Sequence, residues 1–196
     1  MTAMQATELL NTLLAGSFGM IQERLNEVTD AEWNDRAFPG TSKPGFILWH
    51  CARILDWTVN CAFRGVPEVA DSPPWRQRFP REACYGAGIP ESLADEVVEA
   101  TSSKVVAEYL GAVKASVMPW FETQTGDALD APVLIKANQA RREGYLEPAI
   151  WAEVEDLDGI IGWNFLLRPS VGHIRRHMGE YDVLVGALRA KTTLRA

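Results

Sequence analysis

Residues 45–64, GFILWHCARILDWTVNCAFR, form a strongly apolar stretch that decides the fold class of this chain. Its polar residues recur at steps of three and four, so they share one stripe of an α-helix. We therefore predict a helix over 45–64, with His50 at the border between this polar stripe and the apolar face. The polar stripe consists of Arg53, Asp56, Asn60 and Arg64.

Three other stretches have the same helical periodicity of apolar residues. The spacing predicts one helix over 7–28 and another over 90–121, with Pro90 at its start. A last helix is expected from about Pro169 to Ala190; a second possibility is a longer helix that begins at Ile160 and is kinked by the proline.

The connections between these helices are long and irregular. Residues 29–44 have a loop composition with room for a short helical turn at 30–34, and 65–90 are rich in proline, which predicts a long ordered crossing. Residues 123–158 combine Gly, Asp and Pro, with a brief extended segment possible at 132–136. Four amphipathic helices with such connections predict an all-α protein whose architecture is a four-helix bundle.

Length and composition favour a single domain over 1–196. The chain has 196 residues, 47% of them hydrophobic and 23% charged, which is the usual balance of a globular protein. A formal charge of -7 without a long basic run argues against nucleic acid as a partner. The segment 1–14 does not resemble a secretory leader, and no stretch approaches the ~20 apolar residues of a membrane span. These features predict a soluble cytoplasmic protein with no membrane partner.

The histidines carry the most specific chemical signal. His173 and His177 are two of only three histidines, and they are four residues apart within a helical pattern. Residues i and i+4 lie on the same face of a helix, so both imidazoles can point to one atom. If the helix of 45–64 lies beside the last helix, His50 joins them. Three neutral imidazoles suit a divalent ion such as zinc, nickel or iron and leave positions open for water or substrate. The other interpretation is that these are core or boundary histidines.

Other enzyme motifs are absent from the sequence. The zinc protease motif requires Glu directly after the first His, where this chain has Ile174. There is no GxSxG, no Walker A and no GxGxxG after a predicted strand. The three cysteines show no CxxC spacing and are expected to be reduced thiols.

Two segments, ILWHCARILDW at 47–57 and GHIRRHMGEYDVL at 172–184, resemble the two metal motifs of the DinB-like superfamily. This superfamily includes YfiT-type bacillithiol transferases and mycothiol-dependent maleylpyruvate isomerases. His50, His173 and His177 match its three metal positions, whereas Glu180 stands where many members have Gln. The resemblance implies an up-down-down-up bundle, a homodimer, a divalent metal and use of a low-molecular-weight thiol.

From these observations we expect a metal-dependent enzyme that transfers a thiol to a small electrophilic molecule or isomerises it. His50, His173 and His177 are the predicted metal ligands, and Glu180 is the predicted catalytic or metal-supporting carboxylate. Arg53 and Arg176 are candidates for binding the carboxylates of an acidic thiol or substrate, and the other interpretation of each is a solvated surface arginine. The competing hypotheses are a noncatalytic metal-stabilised or sensor protein and a metal-assisted hydrolase.

Overall fold

The computed structural model describes residues 6–194, which form an all-α protein. Within this range there is no named strand, and the isolated extended pairing is a β-bridge between Pro132 and Ile161. The two ends of the predicted domain 1–196, including the start of the segment 1–14, lie outside the described residues.

The helices follow one another along the whole of this range. Two of them continue into wider π-helical turns, Trp57–Phe63 after α3 and Arg168–His173 after α10. Short 3-10 turns occur at Val69–Asp71, Arg81–Ala83 and Glu155–Leu157. The α-helices are α1 (Ala6–Glu27), α2 (Asp30–Asn34), α3 (Pro44–Asp56), α4 (Trp75–Arg78), α5 (Glu91–Ala100), α6 (Ser103–Phe121), α7 (Gly126–Asp130), α8 (Ile135–Gln139), α9 (Pro148–Trp151), α10 (Gly162–Leu167) and α11 (Ile174–Thr193).

The helix predicted over 45–64 is confirmed as α3 with its π-helical continuation, and it is central to the protein. Every residue of α3 is buried, because α1, α2, α5, α6 and α11 all pack against it. The first helix is confirmed as α1, and the helical turn at 30–34 as α2. Thr29 begins α2 with a capping box, in which its hydroxyl accepts from Glu32 N and Glu32 accepts from Thr29 N.

The single helix predicted over 90–121 is wrong, because the chain forms two helices there. α5 ends at Ala100, and α6 begins at Ser103 after the hydroxyl of Ser102 accepts a hydrogen bond from Val105 N. α5 packs against α2 and α3, whereas α6 packs against α1 and α3. Val98 and Val105 on the two sides of the break are seven residues apart and so keep the same helical phase, which is why periodicity alone did not reveal the break.

The last helical element follows the longer of the two predicted alternatives. α10 begins at Gly162, and the helix continues without interruption through the π-helical turns into α11. Pro169 is the second residue of the π-helical segment Arg168–His173, where the wider backbone accommodates a residue that cannot donate a backbone hydrogen bond. In the connection 123–158, the extended segment predicted at 132–136 is confirmed only at its start. Pro132 forms the β-bridge, and Ile135 already begins α8.

Four long helical segments enclose the core: α1, α3, α6, and α10 with α11. α1 contacts the other three, and α3 contacts both α6 and α11. This arrangement brings the middle of α3 against the start of α11, although these two helices are far apart in the sequence. None of the helices within 6–194 is long and apolar enough to cross a bilayer.

Candidate metal centre

The three histidines of the described chain meet where α3 passes the junction between the second π-helical segment and α11. One ring nitrogen from each of His50, His173 and His177 can be chosen such that all three lie within 4.8 Å of one another. The Nε2 atoms of His50 and His173 are 3.0 Å apart. The cluster predicted from the sequence is therefore present and has the composition and dimensions to hold a metal ion.

The pair on the last helical element is brought together by helical geometry alone. His173 ends the π-helical segment, and His177 lies one turn later in α11. Their ring centroids are 4.4 Å apart, as expected for side chains that lie on the same helical face at i and i+4. Both residues are half-buried, so this side of the cluster is accessible from solvent.

His50 is the buried member of the cluster, and its ring is held on two sides. Its Nδ1 donates to the carbonyl oxygen of Tyr85 at 2.7 Å, which leaves the lone pair of Nε2 directed to the other histidines. The ring of Phe46 stacks on it at a centroid distance of 5.9 Å. Gly86 comes so close that a Cβ atom there would lie 2.7 Å from His50 Nδ1. Such contacts fix the orientation of a metal ligand.

Glu180 orients the ring of His177, as the Tyr85 carbonyl orients that of His50. The Nδ1 atom of His177 donates to Glu180 Oε2 at 2.8 Å, and Nε2 is again left free. This hydrogen bond lowers the pKa of Glu180, so the residue is a carboxylate at neutral pH. A carboxylate behind a ligating imidazole raises its basicity and holds its tautomer. The contact places Glu180 in the site; proton transfer by this residue stays a prediction.

Burial keeps the two histidines of the 3.0 Å contact uncharged. It lowers the pKa of His50 well below 6.5 and that of His173 to about 3, so both are neutral at pH 7. Two ring nitrogens at that distance repel each other through their lone pairs unless a proton or a cation lies between them. Neutral imidazoles are also the form that binds metals.

Arg176 lies at the open side of the cluster. Its Nη2 atom is 3.4 Å from Nδ1 of His173, and the residue is exposed. A guanidinium in this position can meet an anionic group that approaches the histidines from solvent. The structure thus brings Arg176 to the cluster, as predicted, while a role in binding a ligand stays a prediction.

Arg53, by contrast, does not join the histidines and is not a surface residue. It is 2% exposed, and its Nη1 atom lies 2.6 Å from Glu68 Oε2 and 3.4 Å from Asp56 Oδ2. Its Nε and Nη2 atoms donate to the carbonyl oxygen of Cys84. Two tyrosine hydroxyls complete the network, those of Tyr109 and Tyr145.

The part of the polar stripe that lies in α3, Arg53 and Asp56, therefore faces the interior, because the connection after the π-helical segment folds over it. Asp56 accepts from the backbone N–H groups of Val69 and Ala70, each at 3.0 Å, and so anchors this connection. Cys84 and Tyr85 are neighbours, and the first is held by Arg53 while the second holds His50. The buried arginine thus supports the segment that orients the buried histidine.

The donor set fits a transition metal and not magnesium or calcium. Nitrogen ligands suit zinc, nickel and iron, whereas Mg²⁺ and Ca²⁺ prefer oxygen. Two of the three imidazoles have Nδ1 hydrogen-bonded to an oxygen acceptor, which is the usual environment of a metal-binding histidine. Three protein ligands leave room for a further ligand on the solvent side.

Two elements of the site were not predicted from the sequence: the carbonyl of Tyr85 and the close approach of Gly86. A backbone carbonyl has no sequence signature. The glycines at 86 and 88 were a usable sequence signal, because glycine is the residue type that readily adopts positive φ, and in the structure both have positive φ, at 90° and 66°.

Comparison with known proteins adds no assignment to this geometry. No protein-family model matches the chain, and no curated protein matches it significantly.

Proposed function

We propose that this chain is a divalent-metal-dependent enzyme that adds a low-molecular-weight thiol to a small electrophile or uses it in an isomerisation. The single observation that carries the proposal is the convergence of His50, His173 and His177, whose ligand atoms lie within 4.8 Å of one another. A divalent ion held there would supply positive charge that favours the thiolate form of a bound thiol.

The residues around the cluster have separate tasks in this proposal. Glu180 and the Tyr85 carbonyl hold the tautomers of His177 and His50, so that each presents an Nε2 lone pair. Arg176 attracts an acidic substrate to the half-buried side of the cluster. Phe46 and the rest of the packing around His50 exclude water from the other side.

We further propose a DinB-like architecture with up-down-down-up topology, acting as a homodimer in the cytoplasm. The pairwise packing of the four long segments supports the bundle. The connection from Arg64 to Ser102 supports the topology, because two consecutive helices that run parallel need a long crossover between them. The resemblance of the two histidine motifs is the basis for the dimer and for the thiol.

Metal content tests the ligand assignment first. The purified protein is expected to contain about one zinc, nickel or iron per chain by elemental analysis, and His173→Ala should reduce this to a trace. Arg175→Ala, an exposed neighbour on the same element, is the matched control and should keep the metal. A His173→Ala protein with full metal content contradicts the proposal.

Activity is tested by following thiol consumption with a panel of thiols and electrophilic small molecules. Turnover should stop when a chelator removes the metal while the helical circular-dichroism signal remains. Product formation that needs water and no thiol would instead identify a metal-assisted hydrolase.

A structural metal is the second candidate, and one observation favours it. The Nε2 atoms of His50 and His173, 3.0 Å apart, come from residues 123 positions apart in the chain, so an ion between them would cross-link two helices. In that case the chelator should lower the melting temperature or unfold the protein, and no thiol or electrophile should be consumed.

A further inference from the structure

A large cavity lies apart from the histidine cluster, between the connection after α3 and the loops around α8 and α9. Its volume is about 890 Å³, within the range of small-molecule sites, roughly 300–1,000 Å³. None of the three histidines lines it. The Cys84–Tyr85 segment relates the two sites, because Cys84 lines the cavity and the Tyr85 carbonyl contacts His50.

The cavity concentrates arginine in a protein that is acidic overall. Five of the chain's 14 arginines line it and none of its five lysines does, although the formal charge of the chain is -7. Arginine is the residue that binds carboxylate and phosphate groups with two parallel hydrogen bonds. The five are Arg53, Arg76, Arg81, Arg141 and Arg142.

These guanidinium groups differ in what already holds them. Arg142 is ion-paired with Asp71, and Arg53 is committed to its buried network. Arg81 has one partner, Glu143, across an ion pair whose side chains are 61% and 86% exposed and which is therefore weak. A ligand can replace a partner of that kind.

Arg76 and Arg141 have no carboxylate partner within residues 6–194. The one hydrogen bond recorded for their side chains is from Arg141 Nη1 to the carbonyl oxygen of Gly65, at 3.4 Å. Both residues line the cavity, Arg76 from α4 in the connection after α3 and Arg141 from the loop after α8. An anionic group bound in this cavity can therefore pair with a cation that no carboxylate within residues 6–194 neutralises.

The remaining lining includes apolar side chains and carboxylates. Phe79 and Ile150 contribute apolar surface, which suits the body of an organic molecule. Glu82 and Glu147 also line the cavity, and both lie close enough to Cys84 to act on its thiol electrostatically. These carboxylates repel an anion, so the arginines of the lining that lack a carboxylate partner, Arg76 and Arg141, are the groups left to bind it.

We propose that this cavity is a second ligand site that binds a small organic anion. Arg76 and Arg141 hold its carboxylate or phosphate group, and Phe79 and Ile150 contact its apolar body. The site is separate from the metal site, because its lining contains none of the three histidines.

Isothermal titration with two aromatic anions tests this site and distinguishes the two headgroups. The probes are 4-phenylbutyrate and phenyl phosphate, and 4-phenylbutanol is the uncharged control. We expect binding of one or both anions, weaker at high salt because the arginines are exposed, and no comparable binding of the alcohol. Binding of the first probe alone indicates a carboxylate ligand, and binding of the second alone a phosphate ligand.

Two double variants with the same charge change locate the site. Arg76→Gln with Arg141→Gln should weaken the binding of the anion at least about tenfold, whereas Arg78→Gln with Arg168→Gln, exposed arginines outside the lining, should leave it unchanged. His173→Ala should bind the anion as the unmodified protein does, which separates this site from the metal site. The proposal is overturned if neither anion binds, if the alcohol binds equally well, or if both double variants lose binding equally.

Discussion

Gly86→Ala tests whether the buried face of the cluster is assembled by a close backbone approach. Gly86 has φ of 90°, and an added Cβ would lie 2.7 Å from His50 Nδ1 and 2.9 Å from Trp49 Cζ3. Ordinary contacts between such atoms begin at about 3.5 Å, so the imidazole must move by about 0.8 Å. Trp49 is fully buried and cannot relieve the contact.

The expected losses of folding free energy and of metal affinity in Gly86→Ala come from two separate effects. A positive φ costs a non-glycine residue about 1–3 kcal/mol of folding free energy. The movement of His50 weakens its 2.7 Å hydrogen bond to Tyr85, because about 0.8 Å spans most of the distance range of a hydrogen bond. Loss of such an orienting partner typically lowers metal affinity 10- to 100-fold, or about 1.4–2.7 kcal/mol.

Gly159→Ala is the matched control. Gly159 has φ of 80°, and nothing lies within 4 Å of a Cβ built there. Gly159→Ala therefore has the same cost of a positive φ as Gly86→Ala but makes no close contact with another side chain. Urea denaturation of the metal-free proteins should show both variants destabilised, and zinc titration should show weaker affinity in Gly86→Ala alone. Equal zinc affinity in the two variants would refute the reasoning.

Three further predictions concern the carboxylate, the buried ion pairs and helix stability. Glu180→Gln should lower the zinc affinity about 10-fold or more, because an amide oxygen accepts the hydrogen bond from His177 less strongly than a carboxylate does. Asp182→Asn, which removes a carboxylate from the same helix, should leave the zinc affinity unchanged. Zinc titration measures both variants. Arg53→Met should lower the free energy of unfolding, measured by urea denaturation, by about 3–5 kcal/mol, because it leaves buried carboxylates unpaired. The exposed Arg81→Met should lower it by under about 1 kcal/mol. Equal losses in the two variants would contradict the burial of the Arg53 ion pairs. Gly111→Ala, with nothing within 4 Å of the new Cβ on α6, should raise stability by about 0.5–1 kcal/mol, and a lower melting temperature would contradict this expectation.

Helical periodicity predicted most of the secondary structure that defines this fold. The all-α class, α1, α3 and the last helical element follow from the spacing of apolar residues, because a helix must bury one face whatever its neighbours are. The break between α5 and α6 does not follow, because the apolar residues on its two sides keep the same helical phase. It depends on Ser102 capping a helix that then packs against α1 and α3.

The polar stripe of α3 shows where local pattern reasoning fails. Arg53 and Asp56 look like a solvent-facing stripe, yet both are buried because the following connection brings Glu68 against the guanidinium. Opposite charges and hydrogen bonds compensate the loss of water, and only the tertiary structure supplies these partners.

By itself, the sequence determined that His173 and His177 share one helical face, since a spacing of four residues is enough to align two side chains. Only the tertiary structure decided that His50 reaches them, that the Tyr85 carbonyl turns its ring, and that Arg53 is engaged elsewhere. Those contacts join residues far apart in the chain, and their distances depend on how several helices and one long connection pack together.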